Sequence, residues 1–344
     1  MSHSDDWIRK LERNESLTLE EASAAAQWIA TPDTPDTERV RFLLALNRKG
    51  ETSTEIAGFA QVFRSMATDP GPLSGQSESI DVCGTGGDGS GTFNISTAVG
   101  FLLASMQVPV LKHGNRSITS KCGSADILEA LGWPLTPTDK ERQRLVDQYH
   151  FIFLFAPVYH PAFQYVGPAR KQVAALGQRS IFNLLGPLLN PARPPYQLMG
   201  VMGVDKVGLI ADALNQLEVQ RGLVVHCQIN QQQGLDEAST VGTNHVQTTG
   251  ALNPQLPTAQ DRLWGLSAGN RAELQGGDMK QNLKILDDLV RGKRNDTLSD
   301  TVALNAGLAL WVAQRVKSPE EGIEQSLRQL RDGNVYNWLR KALA

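Results

Sequence analysis

Cysteine is scarce in this chain. Only Cys83, Cys122 and Cys227 occur among 344 residues. An odd count without metal-ligand spacing excludes a disulfide framework and a cysteine-based metal site, and leads us to expect a cytoplasmic protein with reduced thiols. No apolar run reaches the ~18 residues of a membrane span. The opening Met1-Ser2-His3-Ser4-Asp5-Asp6 lacks the make-up of a signal peptide. Basic residues are not in excess either: 33 Lys and Arg face 36 Asp and Glu, a net charge of −3. That balance, with a pI near 6.1, argues against a general nucleic-acid binder and leaves room only for a local basic patch. Internal repeats and low-complexity tracts are also missing. What is present is length and apolar content. The 344 residues, 41% of them hydrophobic, suffice for two domains or one large one.

The most informative segment runs from Asp81 to Thr97. Five glycines, Gly84, Gly86, Gly87, Gly89 and Gly91, follow a short apolar strand and precede an apolar helix. A loop with so few side chains lets its N–H groups approach a bulky anion, and the following helix N-terminus adds partial positive charge. The loop therefore reads as a phosphate or pyrophosphate cradle. It is not a P-loop, because it ends Gly91-Thr92-Phe93 instead of Gly-Lys-Ser/Thr. Gly84, Gly86 and Gly89 fit the dinucleotide spacing literally, but the acidic residue that should follow ~20 positions on is absent. Lys112-His113-Gly114-Asn115-Arg116 stands there instead. A basic loop beside a glycine loop points to a phosphate-rich ligand.

The rest of the chain sorts into two parts. The first ~67 residues read as helices. Thr18 with Glu21 and Thr52 with Glu55 are capping boxes, and Gly50 closes the helix over 40–48. The segment 68–75 has the composition of a hinge. Beyond it, strands at 80–83, 108–111, 151–155, 198–204 and 222–226 alternate with helices at 95–106, 124–131, after Thr138, and near 207–217. Such alternation predicts an α/β fold with a mainly parallel central sheet covered on both faces. Helices at 283–290, 302–316 and 320–330 close the chain. We expect a small helical domain over 1–70, completed by a later helical segment, beside a larger α/β domain over 71–344 that carries the ligand site.

Several long motifs in one order resemble the anthranilate phosphoribosyltransferases. They are GTGGDGSGTFNIST at 84–97, KHGNRSITSKCGSADILEALG at 112–132, FLFAPVYHPAF at 153–163, IFNLLGPLLNPA at 181–192 and GLDEAS at 234–239. LTLEEA and RKGETSTEIAGFA extend the likeness into the helical part. The resemblance implies a nucleoside phosphorylase/phosphoribosyltransferase-like fold, a homodimer joined through the helical domains, and Mg²⁺, with two ions on the diphosphate. It also implies transfer of phosphoribose from phosphoribosyl pyrophosphate to the amino group of anthranilate, in tryptophan biosynthesis.

Residue roles follow from the same resemblance. Gly84, Gly87, Asp88, Thr92, Asn94, Ile95, Ser96 and Thr97 would line the donor site, with Lys112, Asn115, Arg116, Ser120 and Ser124 from the second loop. Asp88 beside an anion suggests a ribose hydroxyl or a metal-bound water as its partner. Ser96, Asp236 and Glu237 would hold the metal; taken alone, the acidic pair reads equally as a solvated turn. Lys112 alone reads as a strand-end surface lysine, and Arg116 as an ordinary ion-paired arginine. Gly84, His113, Asn115, His160, Arg170, Gly186 and Pro187 would form the acceptor side, where the Arg170 fork suits a carboxylate. An aromatic amine carries its own lone pair, so no firm general base is assigned; His113 and His160 are weak candidates. Arg170 and Gly177 stand seven apart, nearly one helical turn more than the family spacing. The helix there is either extended or shifted in register, which bears on acceptor choice. Other readings within the fold are a phosphoribosyltransferase with a different aromatic acceptor and a pyrimidine nucleoside phosphorylase. A non-catalytic nucleic-acid-binding relative would lose the glycine loop and gain basic residues, which this chain does not do.

Overall fold

The computed structural model describes residues 3–73, 76–116, 122–252, 259–260 and 264–344. Four helices come first: α1 (His3–Glu12), α2 (Leu19–Ile29), α3 (Asp36–Lys49) and α4 (Ser53–Ser65). Thr18 and Thr52 form the expected capping boxes, and Gly50 ends α3 at φ 87°. Helix α1 was not read from the sequence.

The second part begins with β1 (Ile80–Gly84), α5 (Ile95–Ser105), β2 (Val110–Gly114), α6 (Ser124–Ala130), α7 (Asp139–Tyr149) and β3 (Phe151–Phe155). A helical excursion follows, α8 (Ala156–Tyr159), α9 (Phe163–Ala175) and α10 (Phe182–Leu185), and then a 3₁₀ turn at Gly186–Leu189. The chain returns through β4 (Tyr196–Gly200), α11 (Val204–Gln216), β5 (Arg221–Gln228), β6 (Gly234–Leu235), β7 (Thr243–Gly250) and β8 (Ala259–Gln260). Four helices finish it: α12 (Met279–Val290), α13 (Thr297–Val312), α14 (Pro319–Arg331) and α15 (Asn334–Ala342).

Strand order in the sheet is β3-β2-β1-β4-β5-β7-β8, with β6 on β5. The run from β3 to β5 is parallel, and β6, β7 and β8 are antiparallel. The fold is thus a small helical part with a larger α/β part around a mostly parallel sheet. Alternate strand residues serve opposite cores, as the two-residue period requires. Val82, Leu198 and Leu223 join α5 and α13 on one face, whereas Cys83, Met199 and Val224 join α11 and the N-terminal helices on the other. Helices α9 and α10 share that second core with α2, α3 and α4. Among the described residues no helix is long and apolar enough to cross a membrane.

Candidate functional site

The glycine loop leaves the C-terminal end of β1 and enters α5. Gly86, Gly87, Gly89 and Gly91 all have left-handed φ, between 64° and 75°. A side chain at any of them would be strained, so the sequence must spend glycines to make this curve. The loop is pinned from outside. Phe93 N–H donates to the Leu274 carbonyl at 2.9 Å, Gly276 N–H to the Gly91 carbonyl at 3.0 Å, and Gln275 Nε2 to the Ser90 carbonyl at 3.2 Å. Asn94 is the N-cap of α5 but makes no side-chain capping bond; the Ile95 N–H turns back to the Phe93 carbonyl at 2.8 Å and the Thr97 N–H to the Asn94 carbonyl at 3.2 Å.

Three of the nine buried side-chain polar atoms without a partner among the described residues lie beside this loop: Thr85 Oγ1, Asn94 Oδ1 and Thr97 Oγ1. Buried polar groups are normally paired, and a cluster of orphans beside a glycine loop is what a missing polar ligand leaves. Asp88, by contrast, is spoken for. Its Oδ1 accepts from Ser90 N–H at 3.0 Å and Ser90 Oγ at 2.9 Å, and its Oδ2 accepts from Asp236 N–H at 3.3 Å. Its protein partners are the loop and the acidic turn, so it ties the two together. Thr92 Oγ1 lies 3.1 Å from Ser90 Oγ.

Asp236 and Glu237 follow β6 and are half-buried, not a solvated turn. Two glycines make room for them. A Cβ at Gly84 would stand 2.4 Å from Asp236 Oδ2, and one at Gly200 only 1.5 Å from the Asp236 carbonyl oxygen. Gly86 N–H donates to Asp236 Oδ2 at 2.7 Å. The Ser96 peptide N–H donates to Glu237, so Ile95 and Ser96 bring the start of α5 against the acidic turn. Both carboxyls are pushed above the usual range, chiefly by burial: Asp236 next by Asp88, and Glu237 next by Asp236. A set of acids held this close favours a cation beside it.

Lys112 is not a surface lysine. It is 2% exposed, and its Nζ donates to the Val82 carbonyl at 2.5 Å and to Ser96 Oγ at 3.2 Å. The ammonium therefore lies under the loop, where it also eases the charge of Glu237. The reason is register: β2 runs to Gly114, so Lys112 and His113 sit inside the sheet and not beyond its end. Arg116 is held as the ion-paired arginine. Its guanidinium grips Glu129 with two bonds of 2.7 and 2.8 Å, meets Asp126 at 2.9 Å, and stacks over Phe155. Asn115 is exposed, and its Oδ1 accepts from Arg116 N–H at 2.7 Å. Ser124 opens α6 and donates from Oγ to the Asn115 carbonyl at 3.2 Å. Ser120 lies outside the described residues.

The expected acceptor residues come together on the other side of β2. His113 and His160 are buried, with their Nε2 atoms 3.2 Å apart. One of them donates to the other, so both cannot be charged. Burial pushes His113 down to about 3, with His160 as the next cause, and burial pushes His160 down to about 4. The Gly186 carbonyl accepts from His113, and the neighbouring Pro187 carbonyl accepts from Gln197 Nε2 at 2.8 Å. His160 packs edge-on to Phe163, and the Arg170 guanidinium lies over Phe163 at 5.4 Å and over Phe182 at 5.1 Å. Arg170 has no carboxylate within ion-pair reach among the described residues, so its fork is free. Helix α9 continues past it to Ala175, and Gly177 turns the chain at φ 70°. The spacing between Arg170 and Gly177 is thus helical to Ala175.

Three supporting residues escaped the sequence reading. Asp81 is fully buried, pushed up to about 6 by that burial, and accepts from Asn190 Nδ2 at 2.9 Å and from His113 N–H at 3.4 Å. Asn190 also donates to the Leu111 carbonyl at 2.7 Å. It thereby ties the 186–189 turn to β1 and β2. Arg179 donates to the Gly87 carbonyl at 2.9 Å, linking the helical excursion to the glycine loop. An acid in an apolar strand was the available signal for Asp81; nothing local marks the other two.

Comparison with known proteins agrees with this geometry. The glycosyl transferase family, a/b domain, matches residues 76–336, and its helical bundle domain matches residues 5–67. The chain is 41% identical over 338 residues to the anthranilate phosphoribosyltransferase of Petrotoga mobilis, covering 97% of this chain and 94% of that protein. It is 38% identical over 342 residues to the bifunctional protein TrpGD of Thermotoga maritima; 98% of this chain aligns, spanning 56% of that longer protein. The crystal structure of anthranilate phosphoribosyltransferase (TrpD) from Thermus thermophilus superimposes with a TM-score of 0.87 at 34% identity, covering 98% of each chain. With matched family domains spanning most of its length and relatives of this identity over nearly all of it, the chain belongs to the anthranilate phosphoribosyltransferase family.

Proposed function

We propose that the protein transfers the phosphoribosyl group of phosphoribosyl pyrophosphate to the amino group of anthranilate. The bond from sugar C1 to the diphosphate oxygen breaks, a bond from the amine nitrogen to C1 forms, the amine loses a proton, and pyrophosphate leaves. The observation that carries this reading is the glycine loop with its orphaned polar atoms, set against an acidic pair on one side and a free arginine on the other.

The catalytic demand is to hold a highly charged leaving group while positive charge develops on the sugar carbon. The loop N–H groups and the start of α5 would bind phosphate oxygens, with the hydroxyls of Thr92, Ser96 and Thr97 and the amide of Asn94 around them. Lys112 acts from below, orienting Ser96 instead of pairing directly with phosphate. Asn115 and Ser124 would contact the donor, and Arg116 would join them only after leaving Glu129. Gly84, at the end of β1 against Asp236, would serve both the donor and the acceptor side.

Asp236, Glu237 and Ser96 fit Mg²⁺ as a site that leaves most coordination to substrate and water, since no group of three or more acidic, cysteine or histidine ligands occurs among the described residues. Bound there, the ion would neutralise diphosphate charge as it departs. On the acceptor side, Arg170 would hold the anthranilate carboxylate by its fork, with His113, His160, Gly186 and Pro187 shaping the pocket. Neutral, low-pKa histidines suit packing and hydrogen bonding more than proton removal at neutral pH.

We further propose that residues 1–70 form the helical domain, completed by α9 and α10, and residues 71–344 the α/β domain. That completion is supported by the shared core. Pairing of two copies through the helical domains, as in the family, is testable by light scattering. The reaction itself is tested by following anthranilate fluorescence with phosphoribosyl pyrophosphate and Mg²⁺. Turnover of a pyrimidine nucleoside with phosphate, and none of anthranilate, would overturn the reading.

A further inference from the structure

A cleft of about 990 Å³ opens at the edge of the sheet opposite the glycine loop. The donor loop leaves the C-terminal end of β1, whereas this cleft is walled by the residues just before β4 and β5, the end of α4 and the segment before β1. Its volume is that of a small-molecule site. None of its residues belongs to the site described above.

Two arginines, Arg64 and Arg193, line it. Arg193 Nη2 donates to the Arg64 carbonyl at 3.4 Å, and Arg64 Nε donates to the Leu188 carbonyl at 2.5 Å. Neither arginine has a carboxylate within ion-pair reach among the described residues. Glu218, on the same wall, forms no ion pair there. Burial pushes Arg64 down to about 10, the charge of Arg193 adds to that, and Asp81 opposes it. Like charges gathered without a counter-ion repel unless something anionic lies between them. The backbone adds to the picture. Arg193 has φ 48° and precedes a proline, and Glu218 has φ 57°. Left-handed φ is unfavourable for both side chains, and the pre-proline position makes it more so for Arg193. Gln76 Nε2 donates to the Ala192 carbonyl at 2.5 Å and helps hold the strained turn.

We propose that this cleft is a second anion site, taking a compact dianion of the phosphate class between the guanidiniums of Arg64 and Arg193. Planar forks suit phosphate oxygens, and two of them match a double charge. The inference does not depend on the reaction proposed above. It does place the anion one residue contact from the acceptor side. Arg64 holds Leu188, and Leu188 belongs to the 186–189 turn whose Gly186 carbonyl accepts from His113.

The test is calorimetric titration of the full chain with inorganic phosphate, and separately with ribose 5-phosphate. The glycine loop is common to the wild type and Arg193→Gly, so the difference between their titrations isolates this cleft. A saturable event is expected for the wild type. Arg193→Gly and Arg64→Gln should each weaken it by about tenfold or more, the loss of a charge-assisted contact. Glycine accepts the left-handed φ, so Arg193→Gly removes the charge without threatening the fold, and its turnover should match wild type. The arm with the tighter binding tells free phosphate from a phosphate ester. Absence of a saturable event in the wild type, or binding by both folded variants as tight as by the wild type, would overturn the proposal.

Discussion

Gly200→Ala tests how the acidic turn is built. The new methyl carbon would lie 1.5 Å from the Asp236 carbonyl oxygen and 2.4 Å from its carbon, nearly 2 Å short of the 3.4 Å at which ordinary contact begins. A backbone oxygen cannot rotate away as a side chain can. Gly200 itself is paired to Gly84 in the sheet, and its carbonyl accepts from Thr85 N–H at 3.0 Å. The strain must therefore be relieved by moving the 236–237 segment. Overpacking of this kind costs about 1–3 kcal/mol of stability. A catalytic group displaced by about 1 Å costs on the order of a hundredfold in rate. Steady-state turnover of anthranilate, read by fluorescence over a range of Mg²⁺, should show kcat/KM reduced by about a hundredfold or more. The Mg²⁺ needed for half-saturation should rise, and the protein should still fold, at a lower Tm. A folded variant with near-native turnover and unchanged Mg²⁺ dependence would refute the reasoning.

Other expectations concern the acceptor side and the core. Arg170→Lys should raise KM for anthranilate by about tenfold to a hundredfold with a smaller change in kcat, because one charge-assisted fork is lost; an unchanged KM would remove Arg170 from the carboxylate. Gly307→Ala should destabilise by about 1–3 kcal/mol in urea unfolding, since its Cβ would meet Ile323 N of the packed helix α14 at 2.5 Å. Folded His113 titrates near 3, below the ordinary 6.5, so the unfolded chain takes up the proton first as pH falls. Its contribution is fully present above pH 6.5 and declines below, by about 2 kcal/mol between pH 6.5 and 5. His113→Gln should flatten that part of the stability curve, and an unaltered slope would contradict the burial argument.

Local signals were legible wherever the chemistry was local. The capping threonines Thr18, Thr52 and Thr138 stand where read, because a cap needs only a residue three positions away. The apolar run of β3 has the bounds expected for a strand buried on both faces. Pro109 misled the reading of β2. It has no N–H to give to the ladder, so the strand starts at Val110 and extends to Gly114, and this moves Lys112 and His113 indoors. Strand β7 went unread because TNHVQTTG has no apolar run; pairing along the whole of β5 makes it a strand. Helices α1 and α15 are short and mostly polar, and their apolar stripes matter only once docked.

At the site, the glycine loop and the Asp236-Glu237 pair announced themselves by composition and motif. Their support did not. Asp88 closes on Asp236 across 148 positions, and Asn190 reaches Asp81 across 109. Such partners are chosen by the sheet order, which no local pattern states. Arg116 shows the limit from the other side. Its position in the motif was plain, but its neighbours Asp126 and Glu129 on α6 decide where the guanidinium points.

The most direct test of the account is the Mg²⁺-dependent loss of anthranilate fluorescence with phosphoribosyl pyrophosphate, run beside Asp236→Ala/Glu237→Ala. The account expects turnover by the wild type and its abolition in a folded double variant. No turnover by the wild type while the donor still binds, or undiminished turnover by the double variant, would contradict it.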